Sequence, residues 1–481
     1  MAKKTTTTGK KTTAGKKTTA KKSPFTKLGY DAVNDSPRRG RIAVSTKSED
    51  TELTAAGRQK LSSQGRDLTR NNALVAWAVR RNNQTVAKCD FKCAIPGQAE
   101  YNALVKQWVH QWGHRLNCDI ARRHSLPELI NLMEAHRVID GDVGILKCNN
   151  GKIQIIEGDR IRNPAVPHVV SSAQNPDYEW IHGVKVGYTG QAFKYAIHRR
   201  KEGVGFEFER EVSAEHMILC GYFTRHDQVR GVSLLAPAIN QFRDIFESID
   251  YALAKAKVSQ LLGFSTALDF AAREHEEEDA SEAITKSIQE TYGTGALHFN
   301  LGVNEKAEMI ESKTPSTEFQ DFLHNVIRIA FAALDIPLEF LMPNIANFYS
   351  NKGALASYIE SCRLRQAGLL EALNEITDWR LAMAIANGEL PPPPNGMDIE
   401  EMLWWCDWEG ARMPLWKLQD DAKGALVAIQ TGLLSGQKIG RQYGLDSDET
   451  YIEIAQELTR AKELGINLAY AAPITSNNMG N

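Results

Sequence analysis

RHDQVRGVSLLAPAINQFRDIFESIDYALAKAKVSQLLG, Arg225 to Gly263, decides how the rest of the chain is read. Beyond Pro237 the apolar residues Ile239, Phe242, Phe246, Ile249, Leu253 and Ala256 recur at the a/d spacing of a heptad. Arg243, Asp244, Glu247, Asp250, Lys255 and Lys257 fall on the other faces. Proline is tolerated in a first helical turn, where its missing N–H would be unpaired, and Gly263 stands where a helix commonly stops. Over about 26 residues at about 1.5 Å each, this is a rod of about 39 Å. A rod with one narrow apolar seam needs a neighbour along its length.

The chain on either side is built to match. Residues 49–235 read as an α+β unit. Helical periodicity starts near Leu53 and runs on through LVAWAVRRNNQTVA, and further helices are expected at Glu100–Gly113 and Leu126–Arg137. Short strands follow in VIDGDVGILKC, KIQIIEG, HGVKVGY and AFKYAIHRR, split by Asp-Gly, Asn-Gly and Gly. After the rod come Phe264–Phe270, an acidic stretch, a helix near Ile284–Tyr292, and strand-like ALHFNLG and AEMIES, which read as a small α/β insertion. A second rod begins at Thr317, where Thr317 and Gln320 have capping-box spacing and Phe319, Phe322, Leu323, Val326, Ala330, Ala333 and Leu334 form one stripe. Asp335–Gly353, rich in Pro, Asn and Ser, reads as a loop. A third long helix is expected at Ala354–Asn387, stopped by Pro391–Pro394. Three short helices, about Pro414–Leu434, Gln437–Tyr443 and Ser447–Leu464, close the pattern.

At 481 residues the chain exceeds the size of a single core, so several domains or one elongated subunit is expected. Its charge is lopsided: residues 1–70 hold 17 Lys/Arg against 6 Asp/Glu, net +11, leaving 40 against 53, net −13, for residues 71–481. Residues 1–22 repeat Lys-Lys-Thr-Thr from Lys3, Lys10 and Lys16 and hold eight lysines and no acid, a composition expected to be disordered. Such an arm either binds nucleic acid or another partner, or acts as a solubilising tail. Seven scattered cysteines without a secretory leader read as reduced thiols in a cytoplasmic setting. No apolar run reaches the length of a membrane span.

The familiar catalytic patterns are incomplete. His110–His114, HQWGH, has the spacing of a zinc-protease helix but Gln111 where the glutamate base belongs. Cys89 and Cys93 have no second pair to complete a zinc site. GKKTTAGKK fails as a phosphate loop in both its glycine spacing and its final residue. Asp140 and Asp142, in Asp-Gly-Asp, could form a paired-carboxylate metal site, though a turn entering a strand explains them as well. Trp404, Trp405 and Trp408 are denser than a core needs and fit an interface. Neither a catalytic residue, nor a metal, nor a cofactor is assigned. The alternative to a structural role is a metal-dependent nuclease or capsid-maturation enzyme using Asp140, Asp142 and histidines; a third reading is a basic-tailed DNA-binding protein.

The order of parts, an α+β base, long helix, small insertion, second helix, Pro/Asn loop, third helix and helical C-terminus, resembles the portal (head-tail connector) proteins of lambda-type tailed bacteriophages. The resemblance rests on GRDLTRNNALVAWAV, IDGDVGIL, IIEGDRIRNP, HGVKVGYTGQAFKYAIHRR, RHDQVRGVSLLAPAI, PSTEFQDFLHNVIRIAFAALDIPLEFLM, NFYSNKGALAS and AKGALVAIQTGLLSGQKIGRQYGLDSDETYIEIAQEL, in the family's order over roughly residues 60 to 465. LQDDAKGA departs from the Asp-Pro often found before the last of these, and the Lys/Thr arm is outside the shared pattern. The resemblance implies an α+β portal fold assembled as a ring. Its parts would be a basic arm (1–48), wing (49–235 and 353–410), stem helices (236–262 and 317–334), clip (263–316), tunnel loop (335–352), crown (411–470) and flexible tail (471–481).

It further implies a homo-oligomer, dodecameric in particles, made in the host cytoplasm and placed at one capsid vertex of the virion. That ring passes double-stranded DNA without regard to sequence, sits among major capsid or scaffold protein, and docks the terminase large subunit and then head-completion or tail adaptor proteins. Under that reading Ile239, Phe242, Phe246, Ile249 and Leu253 form the inter-subunit stem seam. Asn344, Asn347, Ser350, Asn351 and Lys352 line the DNA channel as the tunnel loop.

Overall fold

A computed structural model describes residues 46–164, 178–203, 205–260, 263–267, 288–292, 296–301, 317–341, 348–410, 418–442, 447–466 and 468. Within the unit Ser48–Asn481, helices α1 (Ala55–Asn71) and α2 (Ala73–Val86) occupy what the apolar pattern reads as one helical stretch. Asn72 separates them. Its backbone is extended, and its side-chain oxygen accepts hydrogen bonds from the N–H groups of Leu74 (3.0 Å) and Val75 (3.3 Å), so the second of two asparagines caps a new helix. The same side chain donates to the carbonyl of Phe242, 3.2 Å away, tying this break to the rod.

Strand β1 (Cys89–Cys93), α3 (Ala99–Trp112) and α4 (Leu126–Asp140) follow. The last begins with a reciprocal cap between Ser125 and Glu128 and carries Pro127 in its first turn. Strands β2 (Asp142–Lys147) and β3 (Ile153–Glu157) pair antiparallel, the strands β4 (Tyr178–Ile181), β5 (Val184–Gly187), β6 (Ala192–Lys201) and β7 (Gly205–Ser213) form a meander, and β8 (Met217–Gly221) returns to the other edge of β2. Between the three-stranded and four-stranded sheets lies a small core of Leu146, Ile156, Ile161, Val184, Val186, Tyr195, Ile197 and Met217. The main core is mostly helical, with Val75, Ala78, Val105, Leu129, Met133 and Leu369 among its members, and takes in strand residues such as Val143 and Ile145.

The rod is α5 (Ile239–Gln260), entered through a single turn of 3-10 helix at Ala236–Ala238. Strands β9 (Gly263–Ala267), β10 (Ile288–Tyr292) and β11 (Ala296–Leu301) come next, β11 pairing parallel with β9 and antiparallel with β10. The expected helix near Ile284–Tyr292 is therefore corrected over Ile288–Tyr292, where Thr291 and Tyr292 suit an extended backbone and Leu297 and Ala296 supply the partners across the ladder. AEMIES lies outside the described residues. The second rod, α6 (Thr317–Ala332), packs along α5. Phe331 stands between the two halves, its ring centroid 5.9 Å from Phe242 of α5 and 5.5 Å from Trp77 of α2. A 39-residue helix, α7 (Phe348–Ala386), crosses the base, and β12 (Cys406–Gly410) runs antiparallel to β1. Three helices, α8 (Leu418–Gln430), α9 (Gly436–Gln442) and α10 (Ser447–Leu464), end the described chain close to where periodicity puts them.

The segment leading into α5 is fixed by a buried clasp. Arg230 is fully enclosed, and each of its five N–H donors is used: Nε (2.6 Å) and Nη2 (2.7 Å) grip the Asp142 carboxylate, and the carbonyls of Gly158 (2.8 Å), Ile161 (3.0 Å) and His182 (2.6 Å) take the rest. The Gly231 N–H adds a third bond to Asp142, at 2.8 Å. A Cβ at Gly231 would lie 2.2 Å from the carbonyl oxygen of Gly141, itself at φ +101°, so two glycines let the turn before β2 and the approach to the rod touch backbone to backbone. Ser233 and Leu234 then bond to the carbonyl of Val138 in α4, at 2.8 and 3.2 Å.

Arg230→Met leaves the Asp142 carboxylate buried without its cation and is expected to cost about 3–5 kcal/mol; urea unfolding of the two proteins side by side measures it, and equal midpoints would contradict the clasp. A pH dependence follows too. Burial alone would raise the carboxyls of Asp142, Glu157 and Asp159, but Arg230 for the first and Arg200 with Arg66 for the others hold all three below their ordinary values. A depressed native pKa stabilises the fold above the unfolded value, about 4, and that contribution disappears as pH falls through the native one. The stability difference between the native protein and Asp159→Asn should therefore hold between pH 7 and 5 and shrink progressively below pH 4; a difference that does not change with pH would refute the sign.

Candidate ring-contact and channel surfaces

The heptad seam of α5 divides along its length. Ile239 and Phe242 are buried in the chain's own core, together with Ile245, which the a/d pattern does not select. Below them Phe246 is 54% exposed, Ile249 42% and Leu253 50%. The second rod divides in the same way: Ile327, Ala330 and Phe331 are buried, while Phe322 is 59% and Ile329 61% exposed. Burying a large apolar side chain is worth about 1.5–3 kcal/mol. Phe246, Ile249, Leu253, Phe322 and Ile329 forgo that gain within the described chain. Of the five expected seam residues, two serve the subunit itself and three face outward.

The Pro/Asn segment after α6 is described at its two ends. Asp335 has φ +53°, a left-handed conformation uncommon outside glycine, and Arg365 of α7 holds it there. The Arg365 guanidinium donates to the carbonyl of Leu334 (2.8 Å), to the Asp335 carboxylate (2.9 Å) and to the side-chain oxygen of Asn82 (2.6 Å), so it closes the end of the second rod and binds it to α2 and α7. Ile336 is buried, and Phe340 sits edge-on to Tyr358 at 5.3 Å with the Arg81 guanidinium 4.6 Å over its ring.

Asn344 and Asn347 lie outside the described residues. Ser350, Asn351 and Lys352 belong to the first turns of α7, which starts at Phe348, ahead of the expected Ala354, so the loop is shorter than the sequence expectation. Asn and Ser suit a loop but are equally at home in a helical first turn. The Lys352 ammonium meets Asp421 of α8 at 2.9 Å.

The candidate chemical groups are bound up in structure. Asp140 accepts from Arg66 Nε (2.7 Å) and Nη2 (2.8 Å) and contacts His136 Nδ1 (2.8 Å), while Asp142 is enclosed by Arg230. The two carboxylates of the Asp-Gly-Asp turn therefore serve separate arginines on opposite sides of Gly141. Among the described residues no three His, Cys, Asp or Glu side chains come together as metal ligands. His110 and His114 are exposed and meet edge to face, 5.3 Å between ring centres. Cys89 sits apart from Cys93 at the far end of β1, and burial pushes its thiol up to about 12. Of the tryptophans proposed for an interface, Trp408 is core, its Nε1–H donating to Thr377 at 2.8 Å, whereas Trp404 is fully outside and Trp405 half out.

Sequence reasoning did not single out Arg365 or Arg230. Only an arginine flanked by residues of an otherwise apolar helix face, or placed before a glycine in an apolar run, hints at such burial. No helix among the described residues is long and apolar enough to cross a membrane.

Comparison with known proteins gives the family. The profile described as phage portal protein, lambda family, matches residues 36–366. A probable portal protein of Halomonas phage phiHAP-1 is 23% identical over 402 residues, covering 78% of this chain and 74% of its own. Among solved structures, a chain from the virion of a native gene transfer agent particle is 12% identical with a TM-score of 0.45, covering 82% of this chain and 99% of that one. A chain from the neck of an empty particle of the same kind, computed with C6 symmetry, is 12% identical with a TM-score of 0.47 and coverages of 79% and 93%. With its profile match spanning most of the sequence, this chain belongs to the lambda family of phage portal proteins.

Proposed function

We propose that copies of this chain close into a ring, a dodecamer in the particle, at one vertex of the capsid, and that double-stranded DNA enters and leaves the head through its bore. The observation that carries the reading is the outward half of the stem, Phe246, Ile249 and Leu253 on one rod and Phe322 and Ile329 on the other. A head-to-tail contact closes a ring when each copy offers two different complementary faces, and a pair of rods with apolar and charged sides provides them. The segment 263–316, which joins the two rods in sequence, is the docking site for the terminase large subunit and later for head-completion or tail adaptor proteins. The base meets the major capsid or scaffold protein.

A bore must let DNA slide. The duplex carries about one charge per 1.7 Å, so a wall that neutralises many phosphates grips it in a salt-dependent way. The net −13 of residues 71–481 opposes such grip. Pairing of Lys352 with Asp421 removes a cation from the edge of the tunnel segment. Asn344, Asn347, Ser350 and Asn351 supply uncharged groups whose contact with the backbone is weak and blind to sequence.

Sedimentation and negative-stain imaging of the purified chain should show closed rings of about a dozen copies by the closure argument. Phe246→Asp places a charge in a desolvated contact and should abolish those rings while leaving the secondary structure of the subunit, and Phe242 behind it, in place; normal rings from this variant would sink the assignment of the outward face. Incubation with duplex DNA and Mg²⁺ or Mn²⁺ is expected to leave the DNA uncut, and cleavage lost on Asp140→Asn would instead favour the nuclease reading.

A further inference from the structure

Cys93 and Cys406 are 313 residues apart in the chain and face each other at the end of the β1–β12 ladder, with 3.2 Å between their sulfurs. Both are free thiols and both are buried. Their place in the ladder is specific. The N–H of Ala94 bonds to the carbonyl of Trp405 at 2.9 Å, which makes 94/405 the hydrogen-bonded pair and 93/406 the adjacent non-hydrogen-bonded one. In that position opposite Cα atoms lie about 4.5 Å apart, inside the range of about 4.4–6.8 Å that a disulfide spans. No strand has to move for the two sulfurs to join.

The surroundings favour one sulfur as the attacking group. The Cys406 thiol donates to the Cys93 sulfur, the Cys93 thiol donates to Asn102 Oδ1 at 3.4 Å, and the positive charge of Lys106 acts on Cys93. The hydrogen bond from Cys406 and the nearby backbone and lysine lower the Cys93 thiol, while the same hydrogen bond and burial raise that of Cys406. Asn102 is itself fixed by both the N–H and the carbonyl of Ile95, so its acceptor oxygen is held beside Cys93.

The geometry points to a redox staple: under a peroxide oxidant, Cys93 and Cys406 form a disulfide that locks the start of the α+β base to the strand that precedes the C-terminal helices. The Cys93 thiolate attacks one peroxide oxygen, the O–O bond breaks, and the departing hydroxide leaves as water, giving a sulfenic acid at Cys93. Cys406 then attacks that sulfur; the S–S bond forms, and the expelled hydroxide takes the Cys406 proton as a second water. Two thiols are oxidised and one peroxide is reduced to two waters. Burial slows the first step to the rate at which the two-stranded sheet opens locally. In a protein assembled in a reducing cytoplasm and then carried outside in a particle, a timing that rests on the function proposed above, the pair is open during assembly and closed afterwards.

The test uses the full-length chain, purified reduced and treated with hydrogen peroxide, then digested without reductant. A peptide joining Cys93 to Cys406, with loss of two hydrogens from the intact mass, is expected. The melting temperature should rise by a few degrees, because the link constrains the unfolded chain, and fall back with dithiothreitol. Cys93→Ser and Cys406→Ser should each lose both the peptide and the shift. Thiols at 93 and 406 that stay open to alkylation after oxidation, linkage of either to another cysteine, or a melting shift that survives in Cys406→Ser, would each overturn the staple. Since the peptide map needs no ring, it is decided separately from the portal reading; thiol blocking of particles before and after release then addresses the timing alone.

Discussion

A single enclosed ion pair organises the junction between base and rod. Arg230 and Asp142 are both shut away from water, a situation that is expensive unless every donor and acceptor is satisfied, and here all five guanidinium donors are. The pair gathers β2, the turn at Gly158, Ile161 and the meander turn at His182 around one side chain. The direction in which α5 leaves the base is set at this point, because Gly231 next door is pressed against Gly141 with no space for a side chain. Stem, loop and long helix all lie downstream of that exit.

A second arginine does for the return of the chain what the first does for its departure. Arg365 receives the end of α6, holds Asp335 in its left-handed conformation, and reaches Asn82 in the base. The Arg137 guanidinium bonds to the carbonyl of Arg365 and to Glu134, so the same buried polar network extends into α4. The base end of each rod thus runs into a fixed point, and Phe331 packs between Phe242 and Trp77 beside them.

Elements with long uniform patterns were legible in the sequence. The heptad gave α5 nearly to its ends, the stripe of Phe and Leu gave α6, and the three C-terminal helices fell close to their expected bounds. Where a single side chain or a distant partner decides, local pattern was not enough. Asn72 splits a continuous apolar stripe by capping the next helix; Ile288–Tyr292 is drawn into a ladder by Ala296 and Leu297; Ser350–Lys352 join α7 although their composition suits a loop. The seam residues were legible as a stripe but not as two halves with different partners, since period alone does not tell whether a side chain meets its own chain or another. The Asp-Gly-Asp turn shows the converse: its carboxylates look like ligands in one dimension, and the arginines that occupy them come from positions 66 and 230.

The division of the stem has a kinetic meaning. The half of each rod nearest the base is satisfied internally, so a newly made subunit possesses a finished anchor from which the remaining half projects as an incomplete layer. If copies join through these faces, as proposed above, joining is an encounter between already shaped pieces, second order in subunit concentration, and not a folding step that waits on a neighbour. Under that reading dilute subunits stay single, and closure becomes abundant only as their concentration rises.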